Sequence, residues 1–202
     1  MPSEARVKRF NTVLDQRLSH VRCAIEALYH RHNVSAVLRT CDSLGLHHVH
    51  LVEGHFKAVK GAARGAERWL DLHHHADPAS AIQAIKATGC SVWVADLSPD
   101  GVPPQQVPID KPVCLWFGAE LTGVSAAALE AADGVMTIPM HGFAQSLNIS
   151  VSAAIAMSAI CARVRAELGD EALLSPELRQ ATWDAWMQRE FDTERRTRAV
   201  SS

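Results

Sequence analysis

The sequence predicts an α/β fold in which a largely parallel sheet is flanked by helices. Short runs rich in β-branched and apolar residues alternate with stretches that show helical spacing, and this alternation is typical of βαβ units. A chain of 202 residues with 48% hydrophobic and 21% charged residues is also large and apolar enough to bury one core. Because such folds bind ligands at the carboxyl ends of their strands, we expect the functional residues in the loops that follow them.

The elements begin with a polar, basic helix over residues 4–19, and strands and helices then alternate up to a long helix over 147–167. A last helix opens at Ser175-Pro176-Glu177. The strands between them are predicted over 21–28, 48–52, 69–73, 91–95, 113–117 and 135–138, and the helices over 34–44, 79–88 and 125–131. This order predicts an N-terminal basic helix (1–20), a central domain (21–168) and a C-terminal helical extension (169–202).

The composition favours a cytoplasmic protein. The N-terminus has no apolar segment followed by a small-residue cleavage site, and the longest apolar stretch, 147–162, contains one asparagine and three serines. We therefore expect no membrane span. The five cysteines form no Cys-x-x-Cys pair and are expected to be free, packed thiols. The triplet His73-His74-His75 is expected at a solvated strand end without a metal, because neighbouring side chains on a strand alternate between faces.

Positive charge is concentrated at the start of the chain, although the whole chain has a net charge of -2. Residues 1–40 contain seven Lys and Arg residues against three acidic residues, a local net charge of +4. Such a segment could bind an anionic polymer. A solvated helical face explains the same charges without any partner, and charge alone favours that explanation slightly.

The segment 33–42 is the first of three that could carry chemistry. Its apolar residues form one stripe of a helix, which leaves Ser35, Arg39 and Asp42 on a common polar face and Asn33 at the N-cap. A purely structural interpretation is also complete, because Asn33 caps the helix and Arg39 pairs with Asp42 one turn later.

The other two segments follow predicted strands. An apolar strand leads into Gly118-x-Glu120-x-x-Gly123, where glycines permit positive φ and close approach of a ligand to the backbone. A Pro/Gly loop after Ile138 leads into a helix whose first turn holds Ser146 and Asn148, which could equally be a cap and a loop contact. That helix is rich in Ala and Ser, so another backbone or a second subunit is expected to pack closely against it.

Taken in order and spacing, the three segments resemble the three motifs of the SpoU family of RNA 2′-O-methyltransferases. The matching residues are Asn33-x5-Arg39-Thr40, Gly118-x-Glu120-x2-Gly123 and Ile138-Pro139-Met140-x-Gly142-x3-Ser146-Leu147-Asn148-x-Ser150-x-Ser152. The resemblance covers about residues 20–165 and implies a SPOUT-type fold whose C-terminal part forms a trefoil knot. It also implies a homodimer that shares its active sites and methylates a tRNA ribose, at the D-loop guanosine.

The resemblance further implies a set of site residues. S-adenosylmethionine would be bound by Ala95, Leu97, Gly118, Glu120, Ile138, Met140, Ser146 and Leu147. Catalysis would involve Arg39, Asn33, Ser146, Asn148 and Glu120, with Arg39 acting as the critical group from the other subunit. We expect the tRNA phosphates to contact Arg6, Lys8, Arg9, Arg17, Arg163 and Arg165.

Two other interpretations stay open at this point. The same reaction could act on ribosomal RNA or on the tRNA wobble ribose, although the residues before the first strand favour the D-loop mildly. Alternatively, the chain could be a non-catalytic RNA-binding protein of the same fold. The joint presence of Asn33, Arg39, Glu120, Ser146 and Asn148 disfavours that class.

Overall fold

The computed structural model describes residues 2–26, 31–52, 65–119 and 122–200. Within these ranges, six parallel strands form one sheet with helices on both faces, which confirms the predicted architecture. The strands are β1 (Val21–Glu26), β2 (His48–Val52), β3 (Asp71–His75), β4 (Ser91–Ala95), β5 (Val113–Phe117) and β6 (Gly134–Met136). Their order across the sheet is β3-β2-β1-β5-β4-β6, so β3 and β6 form its edges.

Six α-helices accompany the sheet in the part of the chain that the structure describes, and the polar residues before them explain where several begin. The helices are α1 (Glu4–Leu14), α2 (Arg31–Leu44), α3 (Pro78–Lys86), α4 (Ala126–Ala131), α5 (Ile149–Leu168) and α6 (Pro176–Val200). Side chains of four residues accept hydrogen bonds from the first turns of α1, α3, α4 and α5, respectively Ser3, Asp77, Ser125 and Asn148. Pro78 opens α3, where a missing N–H costs nothing.

Each face of the sheet has its own apolar layer, because side chains alternate along a strand. Ile25 and Phe117 face α2 and α5, where Met157 and other buried residues of α5 complete the main cluster. Ala24 and Trp116 point the other way and pack against α3 and α4. The five cysteines are buried and free, as predicted.

One face of helix α5 packs against the main cluster. The segment Ile149–Ala172 is long and apolar enough to cross a membrane when judged by length and composition alone, with a mean hydropathy of 1.4. In the fold, however, Ala153, Ala156 and Ile160 are buried within the main cluster. The helix therefore contributes one face to the core, although only 33% of its apolar window is buried and Val151 and Ile155 are exposed.

The two terminal helices pack against each other through aromatic rings. The ring centroid of Phe10 in α1 lies 5.2 Å from that of Trp69 and 5.7 Å from that of Trp186 in α6. An ion pair of 2.7 Å between Arg6 and Glu190 joins the same two helices. Aromatic contacts and burial therefore attach α1 and α6 to the rest of the fold.

Several predicted boundaries are wrong, and the differences have physical causes. Helix α1 ends at Leu14 instead of continuing to residue 19, and Leu18 forms bridges to Leu46 and Leu173. Strand β3 covers Asp71–His75 instead of 69–73, because Trp69 closes a short 3-10 turn and joins the aromatic cluster. The histidine triplet nevertheless forms the last three residues of this edge strand and is partly exposed, which agrees with the predicted strand end at the surface.

Candidate active site

A cavity of about 170 Å³ lies at the carboxyl ends of β4, β5 and β6. Loops after these three strands form its wall, which is where ligands bind in parallel α/β sheets. Seven of the residues predicted to bind the cofactor line it, namely Ala95, Leu97, Gly118, Ile138, Met140, Ser146 and Leu147. The eighth, Glu120, lies outside the described residues.

The turn after β5 depends on its glycines. Ala119 and Gly123 exchange two backbone hydrogen bonds of 2.9 Å, and Gly123 has a φ of 68°, a conformation that L side chains rarely adopt. A Cβ atom on Gly118 would lie 2.2 Å from the carbonyl carbon of Gly123. Any side chain at Gly118 would therefore force the turn open and change the wall of the cavity.

The loop after β4 is fixed to the end of β6 by one hydroxyl group. Thr137 Oγ1 donates to the carbonyl oxygens of Asp96 and Ser98 over 2.8 and 3.1 Å. Gly101 packs so closely on this side chain that a Cβ there would overlap Thr137 Oγ1. These contacts fix the loop after β4 and the end of β6 in position relative to each other.

Some cavity residues were not predicted from the sequence. Phe117, Met136, Ile149 and Ser152 line the cavity, and Asp96 contributes a carboxylate to its wall. Asp96 follows the last residue of β4 directly, so the rule that ligands bind at strand carboxyl ends could have identified it. Apolar walls with a few polar groups suit a small ligand that has both an apolar part and a charged part.

Arg39 lies outside this cavity. It lines a separate groove between α2 and α5, together with His32, Ala36, Thr40, Ser43, Leu44, Ala154 and Ser158. The side chain of Arg39 is exposed and has no hydrogen bond or ion pair to another described residue. A guanidinium in that position is available to an external anion.

Asn148 connects the groove to the cavity. Its side chain Nδ2 donates to Asn33 Oδ1 over 3.2 Å, and its Oδ1 accepts from the backbone N–H of Ser150 over 2.9 Å. Ser146 and Leu147, which immediately precede it, line the cavity. The third motif therefore contacts both the cavity and helix α2.

Three local predictions for α2 are wrong. Asn33 is the third residue of the helix, so it does not cap it. Ser35 is fully buried, and Arg39 does not pair with Asp42. Asp42 instead accepts a hydrogen bond of 2.5 Å from Arg17, which approaches from the segment after α1.

The predicted phosphate contact at Arg17 is wrong. Its side chain has no exposed surface, and its second Nη atom donates to the carbonyl oxygen of Leu46 over 2.7 Å. Burial lowers the pKa of the Arg17 guanidinium, while the carboxylate of Asp42 opposes that shift. Arg17 is therefore a structural cation beneath the surface.

The other five cations predicted to contact phosphate differ in how accessible their charged groups are to an external anion. Lys8 and Arg9 are exposed, whereas Arg6 pairs with Glu190. Arg163 donates to the backbone carbonyl of Val107. Arg165 donates to the backbone carbonyls of Gln16 and Leu44. Lys8 and Arg9 remain the most accessible of the set.

Comparisons with known proteins agree with this geometry. The SpoU rRNA Methylase family matches residues 20–158. A tRNA (guanosine(18)-2′-O)-methyltransferase of Thermus thermophilus is 37% identical over 93% of this chain and 98% of its own length. The Escherichia coli protein of the same name is 33% identical over 74% of this chain and 66% of its own. The crystal structure of the A. aeolicus TrmH/SpoU tRNA modifying enzyme superposes with a TM-score of 0.84 at 29% identity, covering 93% of this chain and 97% of that one.

Proposed function

Because the chain belongs to the SpoU rRNA Methylase family, we propose that it transfers a methyl group from S-adenosylmethionine to the ribose 2′-hydroxyl of guanosine 18 in tRNA. The relative from Thermus thermophilus carries that substrate in its name and matches this chain over nearly the whole of both sequences. Its match therefore extends beyond residues 20–158, the region that matches the family, into the flanking segments.

One observation carries the proposal, namely the convergence of distant segments on a single cavity. Ala95 and Leu97, the turn at Gly118, and the segment from Ile138 to Leu147 are far apart in sequence, yet they line the same space. These are the segments that the family resemblance assigns to the cofactor. If each segment had only a structural role of its own, the segments would not need to meet at one cavity.

The residues of the cavity fit S-adenosylmethionine. Leu97 and Met140 offer apolar surface to its flat adenine ring, and the carboxylate of Asp96 attracts its cationic groups. Backbone groups of the Gly118 turn can approach a ligand closely, because no side chain intervenes. When bound, this cofactor supplies a methyl group made electrophilic by its sulfonium sulfur.

The ribose is held by residues from a second subunit. Arg39 and Asn33 of one chain complete the cavity of the other in a homodimer built on α2 and α5. Two observations support this arrangement. The groove beside Arg39 includes the small residues Ala154 and Ser158, and α5 also exposes the large apolar side chains Val151 and Ile155, which are 44% and 41% exposed.

Arg39 binds the phosphate next to the target ribose and stabilises the alkoxide that develops at the 2′-oxygen. We do not assign it the role of proton acceptor, because a guanidinium carries donors and no acceptor. Asn33, Asn148 and Ser146 orient the ribose and the arginine, and Glu120 fixes the loops around the cofactor.

Three further features belong to the same proposal. The chain after β6 passes through a preceding loop as a trefoil knot, which places 138–147 around the cofactor. The terminal parts 1–20 and 169–202 flank the catalytic domain 21–168 and contact tRNA through exposed cations such as Lys8 and Arg9. The substrate places the activity in the cytoplasm.

Methyl mapping on defined RNAs tests the proposal. Purified protein is incubated with labelled S-adenosylmethionine and a tRNA transcript, and the 2′-O-methylated position is read by alkaline resistance of the neighbouring bond. We expect one modified position at G18 and none in a matched transcript that carries adenosine there. Label at the wobble ribose, or in ribosomal RNA supplied in a parallel reaction, would change the proposed substrate. Absence of cofactor binding by calorimetry would favour a non-catalytic RNA-binding protein.

A further inference from the structure

Strands β2 and β3 place five potential metal-ligand side chains on one face of the sheet. Their register aligns His48 with Asp71 and His50 with His73. Because alternate residues of a strand share a face, His75 lies on that same face. These side chains lie at the β3 edge of the sheet, whereas the cavity lies at β4, β5 and β6.

Three ligand atoms in this group form a nearly equilateral triangle. His48 Nδ1 lies 2.9 Å from Asp71 Oδ2, His73 Nε2 lies 3.0 Å from the same oxygen, and the two nitrogens are 3.2 Å apart. Ligands held at about 2.0–2.1 Å from a metal ion at right angles or in a tetrahedron are about 2.9–3.4 Å apart. All three distances fall within that range.

Hydrogen bonding alone explains this triangle less well. If both imidazoles donate to Asp71 Oδ2, their two N–H groups face each other across 3.2 Å. If only His48 Nδ1 donates, the lone pairs of His73 Nε2 and Asp71 Oδ2 face each other across 3.0 Å. A cation in the centre uses the lone pairs of all three atoms without that conflict.

His47 supplies an independent second observation. One of its ring nitrogens lies within 4.8 Å of ligand atoms of both His48 and Asp71. The ring is buried, and its Nε2 lies 3.3 Å from Thr182 Oγ1, while its Nδ1 has no hydrogen-bond partner among the described residues. A buried polar atom without a partner is costly, and a nearby ligand removes that cost.

We propose that His48, Asp71 and His73 bind one divalent transition-metal ion of the zinc class, with His47 as a further donor. Two imidazoles and one carboxylate are ligands that such ions prefer. The site is accessible, since the side chains of His73 and Asp71 are 37% and 44% exposed. The ion joins the edge strand β3 to β2 and does not take part in methyl transfer, so the inference is independent of the proposed function.

Metal titration of untagged, chelator-treated full-length protein tests this site. Co²⁺ should give visible absorption bands that saturate at one equivalent, and Zn²⁺ should abolish them and compete with a chromophoric chelator. Zn²⁺ should also raise the melting temperature, because it binds only the folded state.

Variants on one strand provide the matched control. His73→Gln and Asp71→Asn should each weaken Zn²⁺ binding at least about tenfold and remove the thermal shift, because each lacks one ligand. His74→Gln should bind like the wild type, since His74 is exposed on the opposite face. Circular dichroism shows whether each variant is folded. If one of the two ligand variants fails to fold, the other still measures the loss of Zn²⁺ affinity.

Two outcomes would overturn the proposal. One is the absence of saturable binding near one equivalent in the wild-type protein. The other is a loss of affinity in His74→Gln that equals the loss in His73→Gln, which would indicate general binding to surface histidines.

Discussion

Two arginines, Arg39 on α2 and Arg17 after α1, illustrate how differently two regions of this molecule use the same side chain. Arg39 is exposed in a groove and has no partner among the described residues, whereas Arg17 is fully buried and bonded to Asp42 and to the carbonyl of Leu46. Charge and position in the basic segment do not distinguish them. The difference depends on whether the protein itself provides the partner.

The same contrast holds for the basic N-terminal segment as a whole. Arg6 pairs with Glu190, and Arg179 of α6 reaches back to Asp15 over 2.7 Å. Two of the seven cations in this segment, Arg6 and Arg17, therefore have anionic partners within the protein. Only cations without an internal partner are available to an RNA phosphate.

Replacing Arg39 with alanine should give the largest effect and sharpen the contrast most. We expect methyl transfer to fall at least about 100-fold, because a donor aimed at developing negative charge is lost. Cofactor affinity by calorimetry and the urea midpoint should both stay near wild-type values, since the side chain is exposed and outside the cavity. Substantial turnover by the variant would contradict the catalytic assignment.

Replacing Arg17 with methionine should lower the stability of the fold, which the Arg39 variant leaves unchanged. The change leaves Asp42 and the Leu46 carbonyl without their donor, so the free energy of unfolding should fall by about 3 kcal/mol. We place the loss at the lower end for a broken buried pair, because the Asp42 side chain is 30% exposed and water can reach it. Urea denaturation measures the loss, and an unchanged midpoint would show that the pair contributes no net stability.

Removing the two exposed cations of α1 should give the smallest effect. A Lys8→Ala, Arg9→Ala double variant should bind tRNA several-fold more weakly, with the slope of log affinity against log salt reduced by roughly 1 for each lost phosphate contact. Lys86→Ala is the control, because Lys86 is paired with Asp133 at 3.0 Å. Equal losses in both variants would mean that α1 has no specific role in RNA binding.

Local patterns in the sequence predicted the order of the elements, whereas the family resemblance implied that the three distant segments converge on one cavity. Alternating apolar runs determine the strands, and glycine at positions 118 and 123 marks the turn that a ligand can approach. The sequence did not predict which polar residues would be buried. Arg17 and Ser35 appear exposed in a helical pattern, and only the packing of distant segments places them inside.

The histidine cluster was missed for a related reason. Within a single strand, the side chains of neighbouring residues point to opposite faces, so the three histidines of the triplet cannot meet one another. The triangle instead requires the register between β2 and β3, where His48 lies opposite Asp71. A His-x-His segment followed by a second histidine run on an adjacent strand is the signal that could have indicated it.

The contact between α1 and α6 also has a consequence for how the chain folds during synthesis. Arg6 and Glu190 are 184 positions apart, and Phe10 and Trp69 obtain their cover from Trp186. A nascent chain therefore exposes this aromatic surface until α6 has left the ribosome. Docking of α6 covers the surface, and chains that stop before α6 would leave these aromatic side chains accessible to chaperones and proteases.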